Sequence, residues 1–143
     1  MPAFKSILCP VDFSDCSHQA LKTATELAVS SNASLTIVNI WQPPMFGTPD
    51  VPIAPELIQD MVDDAGRNLA ECEASAKAAG AKTVRSMSVT GAPWNEIVKL
   101  LDTKAYDLVV MGTHGRTGLK HVLLSSVAEK VVRHAPCAVL VVR

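Results

Sequence analysis

Short, largely aliphatic runs alternate with stretches whose apolar residues recur at helical spacing, and this alternation constrains the chain more than any other feature. Ser6-Ile7-Leu8-Cys9-Pro10-Val11 and Asp107-Leu108-Val109-Val110-Met111-Gly112 read as buried strands, and Leu35-Thr36-Ile37-Val38-Asn39-Ile40-Trp41 and Ala138-Val139-Leu140-Val141-Val142 as two further strands. A further segment, 83–89, mixes Val84, Met87 and Val89 with Arg85, Ser86 and Ser88, the alternation expected of an edge strand. After the first strand, Ser14 or Asp15 can cap a helix carrying Ala20, Leu21, Ala24, Leu27 and Ala28 on one side, which Ser31-Asn32-Ala33 stops. A long helix over 56–79 has Leu57, Met61, Ala65 and Leu69 as its expected inner stripe, with Asp60, Asp63, Asp64 and Arg67 outside and Gly80 as its left-handed end. Thr90-Gly91-Ala92-Pro93 leads into a short helix over 94–102, and a last helix over 126–134 is cut off from the final strand by Pro136.

Strands that alternate with helices imply right-handed crossovers and a parallel sheet covered on both faces. At 143 residues the chain has the size of one domain. Aromatics are only 4% of a composition that is 48% hydrophobic, so Val, Ala, Leu and Ile must fill the core. Residues 42–55 break the pattern with Pro43, Pro44, Pro49, Pro52 and Pro55, and read equally as a plain connection or as a lid or interface loop.

Several function classes drop out at this point. The net charge is −1 with no block of like charges, so the basic stripe that duplex nucleic acid calls for is absent. No apolar run approaches the ~20 residues of a membrane span, and Met1-Pro2-Ala3-Phe4-Lys5-Ser6 lacks the shape of a signal peptide, so a cytoplasmic protein is expected. The cysteines at 9, 16, 72 and 137 form no Cys-x-x-Cys pair, and His18, His114, His121 and His134 do not join them at zinc spacing. Neither a disulfide nor a structural metal is expected.

In open parallel sheets, ligands bind beyond the carboxyl ends of the strands, where strand order reverses. Two segments meet there: Pro10-Val11-Asp12 and Met111-Gly112-Thr113-His114-Gly115-Arg116-Thr117-Gly118. Glycines let backbone N–H groups approach a phosphate, and a helix starting near Ser125-Ser126 adds donors and a favourable dipole. A carboxylate at the end of the first strand can accept hydrogen bonds from a ribose hydroxyl or an adenine amine. The first turn has no Gly-x-Gly-x-x-Gly and the chain no Walker lysine, so neither a dinucleotide site nor a P-loop is expected. His114 has no evident orienting carboxylate or nucleophile and reads as a loop residue. Arg116 and Lys120 read as phosphate partners or as solvated cations, and Ser14, Asp15 and Ser17 as helix-start residues.

The segment 107–118, followed by Leu123-Leu124-Ser125-Ser126-Val127-Ala128-Glu129-Lys130-Val131, resembles the signature of the universal stress protein family. Ile7-Leu8-Cys9-Pro10-Val11-Asp12-Phe13-Ser14 is similar to that family's opening and 135–142 to its last strand, while 42–88 is only loosely similar. The resemblance implies an α/β fold with five parallel strands in the order 3-2-1-4-5 and helices on both faces. It implies an adenine nucleotide (ATP, ADP or AMP, with or without Mg2+) with Asp12 and Val38 around adenine and ribose, beside Pro10 and Val11. Gly112, Gly115, Arg116, Ser125, Ser126 and Val127 would line the phosphates, with Met111 at the loop entrance; on its chemistry alone Val38 is a core valine. The nucleotide-binding branch carries Gly-x2-Gly-x9-Gly-Ser/Thr, and Ser125 stands where its third glycine would. A position needing φ > 0 would make that serine costly; a helix N-cap would make it favourable.

Three functions follow from the resemblance. The first is a nucleotide-binding regulatory or stress-response module with slow hydrolysis at most, rather than a dedicated enzyme. The second is a dimeric protein-interaction module of the same fold without nucleotide. The third, an enzyme of the adenine-nucleotide pyrophosphatase or transferase group, lacks its Ser-Gly-Gly-x-Asp-type loop here. A homodimer through Ala138–Val142 is expected, because an aliphatic strand at a sheet edge invites pairing.

Overall fold

The computed structural model describes residues 3–42, 54–114 and 124–143. The strands β1 (Ser6–Pro10), β2 (Ser34–Trp41), β3 (Val84–Thr90), β4 (Leu108–Gly112) and β5 (Ala138–Val142) pair in parallel in the spatial order β3-β2-β1-β4-β5. Ile7 sits in register with Leu35 on one side and Leu108 on the other, and Val110 with Leu140. The amino end of the sheet is clamped by Asp107, whose carboxylate accepts the N–H groups of Lys5 and Ser6 at 2.8 and 3.1 Å.

The connecting helices are α1 (Asp15–Ser31), α2 (Pro55–Ala78), α3 (Pro93–Asp102) and α4 (Ser126–His134). Because successive strand residues face opposite sides, the sheet feeds two cores. Ile7, Cys9, Leu35, Ile37 and Val110 pack under α1 and α2, against Ala20, Ala24, Leu69, Cys72 and Ala76. Leu8, Val38, Val109 and Met111 pack under α3 and α4, against Ile97, Leu101, Ala128 and Val131. Burial raises the thiols of Cys9 and Cys72 above their ordinary range, Cys9 the more. Among the described residues, no helix is long and apolar enough to cross a membrane.

Local signals place the helix ends. Ser14 is the N-cap of α1 and Asp15 its first-turn acid, while Asn32 closes the helix in the left-handed region at φ 53°. After α2, Gly80 takes φ +109°, and the next residue, Ala81, donates back to the Ala76 carbonyl at 3.2 Å.

The inner stripe expected for α2 holds only in its second half. Leu69, Cys72 and Ala76 are buried, but Leu57 is 54% and Met61 38% exposed. The reason is length. The 24 residues of α2 span about 36 Å, whereas the 7 residues of β3 cover roughly 23 Å. The helix end is tied down beside the start of β3, so the excess stands beyond the carboxyl edge. The proline-rich segment 43–53 lies outside the described residues.

Candidate functional site

Strand order reverses between β1 and β4, which lie side by side in the sheet. After β1, Val11 is held from both sides: its N–H donates to the Val38 carbonyl at 2.8 Å, and its carbonyl accepts from Asn39 Nδ2 at 2.9 Å. Asn39 is a buried polar residue of β2, and this bond satisfies its amide. The turn that follows is built by Asp12. Its Oδ1 accepts from the Ser14 N–H at 3.0 Å and from the Ser14 hydroxyl, and its own N–H donates to Ser17 Oγ at 3.4 Å. That turn holds Phe13 at φ 64°, a conformation costly for an aromatic residue, and sends its ring toward the α1–α2 core. Ser14 Oγ then accepts the Ser17 N–H at 3.2 Å and starts α1. Ser14, Asp15 and Ser17 are helix-start residues, as their types suggest.

On the β4 side, Thr113 is fixed by its N–H on the Val142 carbonyl at 2.9 Å, and its own carbonyl receives the Ser125 N–H at 2.7 Å. The second bond pins the start of α4 to the end of β4. Ser125 is the N-cap of α4 with φ −65°, and its Oγ accepts the Ala128 N–H at 3.1 Å. The serine therefore carries no left-handed strain, and its hydroxyl proton can still be donated. Of the two readings of this position, the N-cap is the one observed. Ser126 and Val127 follow in the first turn, where backbone N–H groups lack carbonyl partners within the helix.

Gly112 has a packing role that spacing alone does not suggest. A Cβ there would lie 3.0 Å from the carbonyl carbon and the Cβ of Cys16, in the first turn of α1. Cys16 Sγ lies 3.6 Å from Thr113 Oγ1, which lies 2.9 Å from His114 Nδ1, so these three side chains line the seam between α1 and β4. Cys16 carried no motif signal, and only the close approach at Gly112 marks it.

The other expected site residues divide. Pro10 ends β1 opposite Val38. Val38 is 0% and Met111 6% exposed, and both side chains sit in the α3–α4 core, so neither presents a side chain to the edge. Gly115, Arg116 and Lys120 lie outside the described residues. No three His, Cys, Asp or Glu side chains come together as a metal site among the described residues.

The sequence model described as the universal stress protein family matches residues 3–143. A universal stress protein of Methanocaldococcus jannaschii is 37% identical over 142 residues, 98% of this chain and 82% of its own length. Among solved structures, universal stress protein UspA from Lactobacillus plantarum superposes with TM-score 0.88 at 28% identity, over 97% of both chains. A universal stress protein solved in complex with cAMP superposes with TM-score 0.77 at 31% identity, over 99% of this chain and 98% of that one.

Proposed function

The chain belongs to the universal stress protein family, and from that premise and the geometry of its carboxyl edge we propose that it is an adenine-nucleotide-binding regulatory module acting in stress response. The observation that carries the reading is the pinned start of α4. Through Ser125 N–H on the Thr113 carbonyl, a helix N-terminus stands at the end of β4, across the strand-order reversal from the Asp12 turn. The similar protein solved with cAMP supports the same ligand class.

In this reading the Asp12 carboxylate meets the ribose or the adenine amine. Pro10, Val11 and Val38 contribute backbone shape on that side, since the Val38 side chain is in the core. The N–H groups of Ser126 and Val127, the Ser125 hydroxyl and, from the sequence pattern, Gly112, Gly115 and Arg116 meet the phosphates, with Mg2+ accompanying ATP. Asp12 Oδ1 is engaged in building its turn, which suits holding a ligand rather than activating a water, so hydrolysis is slow at most.

We read the chain as one cytoplasmic domain that pairs with a second copy along β5. The Val142 carbonyl points to β4, where it accepts from Thr113. Successive strand residues alternate, so Val139 and Val141 turn their N–H and C=O groups outward, and Leu140 is 37% exposed beside them.

Calorimetry with ATP, ADP, AMP and cAMP tests the nucleotide reading. Micromolar or weaker affinity is expected, about −8 kcal/mol or less favourable. Asp12→Ala should weaken it at least about tenfold, and Ser125→Gly should hold or improve it. Absence of heat with every nucleotide, for both the native chain and Ser125→Gly, would refute the reading and leave the interaction module without nucleotide.

A further inference from the structure

The two central strands part before they end. β1 pairs with β4 only at Ile7–Leu108 and Leu8–Val109. It stays paired with β2 as far as Pro10–Val38, and β4 with β5 as far as Gly112–Val142. Proline explains where the pairing stops. The Val11 N–H points to β2, where it donates to the Val38 carbonyl. By alternation the nitrogen of Pro10 faces β4, and it has no hydrogen to give. A crevice therefore opens between residues 10–12 and 110–113, and each wall is held from its outer side. The β4 wall is held by backbone, through the Thr113 N–H on the Val142 carbonyl. On the β1 wall the outermost bond comes from a side chain: Asn39 Nδ2 donates to the Val11 carbonyl at 2.9 Å. In an uninterrupted parallel ladder a backbone N–H would serve that carbonyl.

We infer that Asn39 is a positioning residue of the nucleotide site: it ties Val11 to β2 and so fixes where the next residue, Asp12, presents its carboxylate across the crevice from the start of α4. This rests on the nucleotide reading of the carboxyl edge. Packing alone does not call for an amide at this position, which is 7% exposed, because Ile37 on the same face of β2 fills its place with an aliphatic side chain. Without the Asn39 bond, Val11 keeps a single backbone bond to β2. The Asp12 turn is then held from the α1 side, by the Asp12 N–H on Ser17 Oγ at 3.4 Å and by Ser17 Oγ on the Ser14 carbonyl at 3.1 Å. Phe13, at φ 64°, stores strain in that turn, and strain of this kind persists only while its surroundings over-determine it. Removing one anchor lets the turn relax and carries the Asp12 carboxylate off its bearing.

The test is calorimetry of the full chain with ATP. Asn39→Ala and Asn39→Asp both remove the donor, and the second keeps the shape of the side chain. Each should bind ATP about tenfold more weakly than the native chain, with the circular dichroism spectrum unchanged. Thr25→Val serves as the control. It removes a hydroxyl of similar burial that bonds the Leu21 carbonyl within α1, so it disturbs the same side of the sheet without touching the edge, and its affinity should stay within about twofold of native. A double-mutant cycle separates positioning from general loosening. In the Asp12→Ala background, Asn39→Ala should cost no more than about twofold, because the residue it acts through is gone. Native affinity in either folded Asn39 variant, an equal loss with and without Asp12, or a loss matched by Thr25→Val would overturn the inference. In each of these cases the native chain still binds, and the nucleotide reading stands. Absence of heat with every adenine nucleotide, for both the native chain and Ser125→Gly, overturns the two together.

Discussion

Two glycines in this chain should respond to alanine with opposite signs. At Gly112 the added Cβ would stand 3.0 Å from the Cys16 carbonyl carbon and Cβ and 3.1 Å from the Cys16 carbonyl oxygen. Ordinary carbon contacts lie near 3.5–4.0 Å, so the neighbour must retreat by several tenths of an ångström. Two of the three atoms are backbone, and they belong to the first turn of α1, which the Ser14 cap and the Asp12 turn hold in place. The strain of overpacking should cost about 1–3 kcal/mol, lowering Tm by roughly 3–10 °C for a chain of this size. At Gly66, inside α2, a Cβ meets nothing within 4 Å. There alanine removes the entropic cost of a helical glycine and should add about 0.5–1 kcal/mol, raising Tm by roughly 2–4 °C. Thermal melts followed by circular dichroism, checked by urea titration, read both. A Gly112→Ala variant melting within about 1 °C of the native chain would refute the packing account. If that variant instead lost nucleotide affinity alone, the glycine would be there for the ligand.

Three further outcomes follow from single contacts. Ser125→Ala removes the acceptor of the Ala128 N–H and should cost about 1 kcal/mol in urea denaturation, while Ser125→Gly should cost only a few tenths; equal losses would contradict the N-cap assignment. Hydrogen bonds from Lys77 and Ser86 hold the Glu73 carboxyl below its ordinary 4.5, so its stabilisation is present above that value and is lost as pH falls through the lower folded value. The stability gap between the native chain and Glu73→Gln should therefore shrink on acidification below pH 4.5, and a gap independent of pH would remove this role. Val141→Pro deletes an outward N–H of β5 without touching the Val142 bond to Thr113, so analytical ultracentrifugation should find it shifted from dimer toward monomer; a monomeric native chain would sink the β5 pairing.

What was legible in the sequence is what repeats locally. Aliphatic runs such as Val109-Val110 announce strands because a strand between two helical layers has no polar face to show, whereas the equally aliphatic Val139-Leu140-Val141 belongs to the half-exposed edge strand β5. Ser14 and Asn32 announce the ends of α1 because capping is a contact between near neighbours. The strand order needed the family resemblance, since no local pattern says which strands lie side by side. The site was legible as a location: Asp12 and Ser125 could be placed at the edge, and the two readings of Ser125 could be stated, but its φ could not.

What escaped depended on distances across the fold. Gly112 looks like a phosphate-loop glycine, and only the approach of Cys16, 97 residues before Thr113 in the chain, reveals the packing constraint. Val38 and Met111 sit at motif positions, yet strand alternation turns their side chains into the α3–α4 core. The stripe on α2 shows the same limit most clearly. Periodicity correctly puts Leu57 and Met61 in line with Leu69, because the helix is one continuous object. Whether that line meets a sheet depends on where β3 ends, which no residue of α2 encodes. An apolar stripe in a sequence thus specifies a face to be covered and leaves open what covers it. For the second half of α2 the cover is β2 and β3.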